Sequence, residues 1–171
     1  MKAYPELAYI PLTSTQRALQ GGTTADKTLY RFSVKAVGGD NSLYKFSFEL
    51  STSTYSATTS LYSLYAYIDS GFSNLDTVFS STGIVNAGQC YSNGTTAVAN
   101  TIGLAGTQVE VYPDKTSCNG ATTTYIVPSG VTRYFDFRAT VSSVESVSTA
   151  SESFTVRLAG DAAYPVTTPS I

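Results

Sequence analysis

The chain has 171 residues, a net charge of −2, no His and no Trp, with 13% charged and 42% hydrophobic residues. That length suits one domain, residues 1–171, whose single core buries roughly two thirds of the unfolded surface. A pI near 5.0 leaves no basic footprint for nucleic acid or anionic lipid, and no apolar run approaches the roughly 20 residues that span a bilayer. The missing charge is replaced by Ser and Thr, about 28% of the chain, so the surface is neutral and rich in hydroxyls.

The opening "MKAYPELAYIPLT" has neither a long apolar h-region nor a small-residue cleavage site; export would need a signal removed or replaced by the initiator Met. Pro5 and Pro11 flank "ELAYI". Because Pro cannot donate to an interior ladder, residues 1–20 are predicted to form an N-terminal arm or edge strand. "STQRALQGG" (14–22) is too short to hold itself as an isolated helix and reads as loop or edge structure.

Strand signals then recur, separated by Gly, Asn, Asp and Ser clusters: 28–37, 42–50, 63–69, 107–112, 123–127, 132–141 and 152–160. Seven such runs at short spacing are the pattern of an antiparallel sandwich or barrel. The first two are joined by "GGDN" and are expected to form a hairpin or close strand pair, with Tyr30, Phe32, Val34 and Ala36 opposing Tyr44, Phe46, Phe48 and Leu50. In "SLYAYID", Leu64, Ala66 and Ile68 are predicted inward, with Tyr65 and Tyr67 side by side outside. In 132–141, Phe135, Phe137, Ala139 and Val141 share one face, and Tyr134, Asp136, Arg138 and Thr140 the other. The predicted core comprises Phe32, Val34, Phe46, Phe48, Phe135, Phe137, Phe154 and Val156. Residues 163–171, rich in Thr and Pro, resemble a linker-like tail.

Cys90 and Cys118 lie in turn-like surroundings, "GQCYSNG" and "KTSCNGA". A disulfide between them would close a loop of about 29 residues and stabilise by roughly 3–4 kcal/mol in the chain-entropy model. The alternative is two unrelated thiols, which would be exposed and oxidisable. Zinc is disfavoured, since there is no His and the two thiols lack paired ligand spacing. The bridge is the main sequence argument for an extracellular location.

The succession "GTTADKTLYRFSVKAVGGDNSLYKFSFEL", "LYAYID", "VPSGVTRYFDFRATV" and "ESFTVRLAGD" resembles the immunoglobulin-like β-sandwich modules of secreted bacterial surface proteins, S-layer-like and adhesin-like, over about residues 20–162. The resemblance implies an all-β, antiparallel, Greek-key sandwich of about 7–9 strands, and it carries no catalytic or ligand motif. The stretch 70–122, with both cysteines, departs from the compact pattern and is expected to be a disulfide-pinned insertion.

Without His, the commonest general base is missing and Ser-His-Asp chemistry is excluded. The acid pairs Asp69/Asp76 and Glu110/Asp114 have the local spacing of chance neighbours. Asp69 and Asp76, with Ser70 and Asn74, and Asp40 with Asn41, are weak calcium candidates that do not match EF-hand spacing; the simpler reading is turn residues capping their own backbone. Otherwise no cofactor is expected. "NGT" at 93–95 matches the three-residue glycosylation sequon. Tyr65, Tyr67 and Tyr134 form an outward row that could stack on a sugar, pack against a neighbouring subunit, or simply pair across strands. The sequence therefore predicts a non-catalytic structural or adhesive module of a cell-surface layer, filament or multidomain adhesin, whose partners are neighbouring subunits. The alternative is a carbohydrate-binding module.

Overall fold

The computed structural model describes residues 2–52, 58–85, 90–91, 107–113, 124–144 and 153–159. They form ten strands and one turn of helix: β1 Tyr4–Tyr9, α1 Ser14–Arg17, β2 Gly22–Val37, β3 Asn41–Leu43, β4 Phe46–Thr52, β5 Thr58–Tyr67, β6 Cys90–Tyr91, β7 Thr107–Val111, β8 Tyr125–Val127, β9 Thr132–Val144 and β10 Phe154–Ala159. The protein is all-β and its strand pairs are antiparallel. One four-stranded sheet has the order β1-β2-β9-β5, a second has β10-β4-β7-β6, and β3 and β8 make a separate pair.

The period-two pattern of β2, β4 and β9 puts one aromatic face of each strand toward the other sheet. Phe32 of β2 meets Phe46 of β4 edge-on at 5.1 Å, and Phe48 of β4 stacks on Phe137 of β9 at 3.9 Å. Within the first sheet Phe32 lies opposite Phe135 and stacks on it at 5.0 Å. Six of the predicted core residues, Phe32, Val34, Phe46, Phe48, Phe135 and Phe137, are buried. Phe154 and Val156 pack against them from the half-buried margin. Burial of such side chains contributes about 1.5–3 kcal/mol each.

Several expectations are corrected. Residues 28–50 are not a hairpin: β2 pairs with β1 and β9, while β4 pairs with β10 and β7, so the two aromatic faces meet across the sandwich rather than along a ladder. "SLYKFSFEL" is not one strand. It breaks at Tyr44–Lys45, β3 leaving to pair with β8, and Tyr44 is therefore 45% exposed. Ile68 is exposed as well, because β5 ends at Tyr67 and the chain turns away before the alternation can place it inward. The strands number ten among the described residues, three of them only two or three residues long. The segment read as loop contains α1, whose single turn is held by a capping box: Thr13 Oγ1 accepts from Gln16 N at 3.2 Å, and Gln16 Oε1 accepts from Thr13 N at 2.9 Å.

β1 is an edge strand, as the prolines require: Pro5 sits opposite Ala36 on the outermost ladder, where its missing N–H costs little. β6 and β7, from the 70–122 stretch, extend the second sheet beyond β4. Cys90 begins β6, opposite Glu110. Its side chain and all of Cys118 lie outside the described residues, as do Asp114 and the 93–95 sequon.

Candidate functional site

The outward residues of β9 cross the middle of the first sheet, between those of β2 and β5. Register sets Asp136 opposite Arg31 on one side and Tyr65 on the other; Tyr134 lies between Ser33 and Tyr67. The predicted tyrosine row is thus brought together on one face, but it is not bare. Asp136, whose side chain is fully buried, accepts through Oδ2 from Arg31 Nη2 at 2.9 Å, Arg138 Nε at 3.0 Å and Thr28 Oγ1 at 3.3 Å. Arg138 also donates to Asp26 Oδ2 and to the Tyr67 hydroxyl, each at 2.8 Å, and its guanidinium lies 4.4 Å over the Tyr65 ring. Although burial opposes its charge, Asp136 and Asp26 hold Arg138 firmly protonated. Burial raises the Tyr65 and Tyr67 hydroxyls above their ordinary range, with the Asp26 charge adding to both effects.

The loop 68–76 folds over this face. Phe72, at φ 56, places its ring edge-on to Tyr67 at 5.3 Å and to Tyr134 at 6.1 Å, and the Arg31 guanidinium sits 4.0 Å from its centroid. Tyr67 is consequently buried, although its strand position points it outward. Asp69 shapes the loop: it accepts from the backbone N–H groups of Asn74 at 2.6 Å, Ser73 at 3.2 Å and Gly71 at 3.1 Å, and from the Ser73 hydroxyl at 2.8 Å. The Asn74 N–H above all holds its carboxyl below the usual range. Asp69 thus behaves as a turn cap.

Asp76, the other member of that pair, is buried elsewhere. It accepts from the Tyr125 hydroxyl of β8 and from Arg133 Nε of β9, both at 2.6 Å, and from Val78 N at 3.2 Å. Burial, reinforced by the hydrogen bond to Asp76, pushes the Tyr125 hydroxyl far above its ordinary range. Glu110 accepts from Lys45 Nζ at 3.0 Å and from the Tyr112 hydroxyl at 2.8 Å. Asp40 accepts from Ser129 N at 2.7 Å, tying the 128–130 turn to the end of β2, and Asn41 donates to the carbonyls of Tyr4 and Gly39. Among the described residues no cluster of three or more His, Cys, Asp and Glu has metal-binding geometry.

Asp40, Asp69, Asp76, Glu110 and Asp136 are therefore engaged in holding strands and turns, and the face as a whole is a layer of interlocked Arg, Asp and Tyr with one aromatic plug. Sequence reading found Tyr65, Tyr67 and Tyr134 but not Arg31, Phe72 or Asp26. Alternation put Asp136 and Arg138 outward; only the register of β2 on β9 brings Arg31 to them, and only the fold of the 68–76 loop brings Phe72. No family model, no curated protein and no solved structure matches the chain.

Proposed function

We propose that the chain is a non-catalytic structural or adhesive module of an extracellular assembly: a surface layer, a filament or a multidomain adhesin. The observation that carries this reading is that the candidate acids Asp69, Asp76 and Glu110 are each bound to neighbouring backbone, tyrosine or cationic groups of the chain itself, in a protein without His. A neutral, hydroxyl-rich surface suits a chain that packs against copies or neighbouring domains. On this reading the two four-stranded sheets, β1-β2-β9-β5 and β10-β4-β7-β6, would be the layers of an immunoglobulin-like plan. The strands β6 and β7 are then additions from the 70–122 stretch. A Cys90–Cys118 bridge formed after export would secure that stretch.

Carbohydrate binding is the competing reading, and it rests on Tyr65, whose ring is half-exposed with Arg138 over one face. Sedimentation at rising concentration, run beside a glycan array on the same preparation, separates the two. Self-association without saturable sugar binding is expected. Saturable binding to a defined sugar, lost in Tyr65→Ala while the circular dichroism spectrum is retained, would overturn the structural reading.

A further inference from the structure

The loop over the outer face of the first sheet is held at its base by backbone and at its tip by side chains. At the base Tyr67 pairs with Leu75, Ile68 N donates to Asn74 O at 3.0 Å, and Asp76 N donates to Ala66 O at 2.8 Å. The tip, residues 69–73, is folded by the Asp69 carboxylate through bonds that lie within reach of water. Phe72 fastens this tip to the sheet, its ring meeting Tyr67, Tyr134 and the Arg31 guanidinium. That closed position carries two costs. Phe72 stands at φ 56, in the left-handed region that a bulky L side chain rarely adopts. In addition, Arg31 Nε is buried with no hydrogen-bond partner among the described residues, and so is Oδ1 of Asp136, the carboxylate that Arg31 holds through Nη2. Arg31 Nε is one bond from the guanidinium carbon that Phe72 covers, and a buried polar group without a partner forfeits the hydration it would have in water.

We infer that residues 69–73 are a lid, hinged on the short ladder between 66–68 and 74–76, that lifts Phe72 off the Arg31–Asp136 pair and so sets how much of the tyrosine face is presented. One movement relieves both costs: it frees the Phe72 backbone from the left-handed region and lets water reach the unpaired groups. The contacts that oppose it, a guanidinium on the ring face and two edge-on tyrosines, are each modest in strength. The hinge itself stays in place, because Asp76 just beyond it is bound by Tyr125, Arg133 and Val78. With the lid closed, Tyr67 is 5% exposed and Tyr65 is the half-exposed ring of that strand. With the lid open, the ring edges of Tyr67 and Tyr134 and the guanidinium of Arg31 join it. A partner that grips Tyr67 or Tyr134 must therefore displace Phe72 first, and Phe72 acts as an internal competitor for that face. The opposing terms leave the open form as a minor state of about 0.1–10%.

The inference does not rest on the proposed function. Its test is the exchange of the Arg31 Nε proton with water, followed by nuclear magnetic resonance on the full chain. In the natural chain that proton should exchange roughly tenfold to a thousandfold more slowly than in free arginine, as an open fraction of that size dictates. Phe72→Ala removes the ring and should bring the rate close to that of free arginine. Asp69→Ala keeps the ring but unfastens the tip, and should speed the exchange about tenfold by raising the open fraction. The Arg138 Nε proton, bonded to Asp136, should keep its natural rate in both variants. Exchange of the Arg31 proton at the free-arginine rate in the natural chain would overturn the inference, since no closed lid would then exist. Unchanged protection in Phe72→Ala would show that Phe72 is not the seal, and unchanged protection in Asp69→Ala that the seal is fixed rather than hinged; either overturns it. Equal acceleration of the Arg31 and Arg138 protons in both variants would also overturn it, because the whole face would then be loosening rather than the lid.

Discussion

At the scale of single residues, Tyr125 shows how a polar atom becomes part of a core. The residue is 1% exposed and its ring packs against Phe135 at 5.5 Å, so its hydroxyl needs a partner inside the protein, and Asp76 supplies it at 2.6 Å. Asp76 in turn is charge-paired with Arg133, which joins the 68–85 excursion to β8 and β9 through one carboxylate. Removing the hydroxyl in Tyr125→Phe should cost about 1–2 kcal/mol at neutral pH, read from urea unfolding. The group also has a pH signature. Its folded-state value lies above the ordinary 10.0, so the stabilisation is complete below pH 10 and declines as pH rises beyond it, because the unfolded chain ionises first. Tyr30, Tyr65 and Tyr67 are raised in the same direction by burial. The thermal midpoint of the natural chain should therefore fall steeply above pH 10 and that of Tyr125→Phe less steeply; equal slopes would mean that Tyr125 is not shielded as the structure has it.

At the scale of elements, the excursion after β5 is fixed by backbone contact as much as by side chains. Ala66 N donates to Gly83 O and Val85 N to Leu64 O, each at 2.9 Å, so residues 83–85 lengthen the first sheet past its last named strand. Gly83 permits this because its φ is +74 and because a Cβ there would meet Leu75 Cδ2 at 2.6 Å and the Ala66 carbonyl at 3.3 Å. Gly83→Ala should destabilise by about 1–3 kcal/mol and, in hydrogen exchange, speed the Ala66 and Val85 amides more than those of β2 or β4. Uniform acceleration across the protein would show that the excursion does not open separately. The elements also show what the sequence could and could not disclose. Alternation alone identified the inward faces of β2, β4 and β9, because a period of two is a local property of the chain. It failed at Tyr44 and Ile68, where a strand stops, since nothing in the side chains marks the point at which the chain gives up one partner for another. It placed Tyr67 outward correctly and could not foresee its burial, which is caused by Phe72 from a loop held by Asp69. Asp136 looked like an ordinary surface charge because its two arginines come from residue 31, across a ladder of unknown register, and from residue 138, two places along its own strand.

At the scale of the whole molecule, the two sheets are joined by aromatic rings rather than by backbone, and Phe48 is at the centre of that joint. It comes from the second sheet, is fully buried, stacks on Phe137 at 3.9 Å and meets Phe32 and Tyr30 edge-on at 6.1 and 6.2 Å, all three from the first sheet. Behind Phe137 the Tyr62 ring lies parallel at 5.7 Å, so the stack runs from β4 through β9 to β5. Truncating Phe48 removes the contact between layers while leaving every ladder hydrogen bond available, and the surrounding rings, fixed to paired strands, cannot close the space. Phe48→Ala should therefore cost about 3–5 kcal/mol. Because neither sheet has another apolar face to bury among the described residues, both should unfold together. Far-ultraviolet circular dichroism, which reports the strands, and near-ultraviolet circular dichroism, which here reports tyrosine and phenylalanine packing in a chain without tryptophan, should give coincident transitions in the variant as in the natural chain. If the near-ultraviolet signal were lost at lower denaturant than the far-ultraviolet one, the ion-paired layer on the outside of the first sheet would be holding that sheet together without its partner, and the aromatic joint would not be the main source of cooperativity.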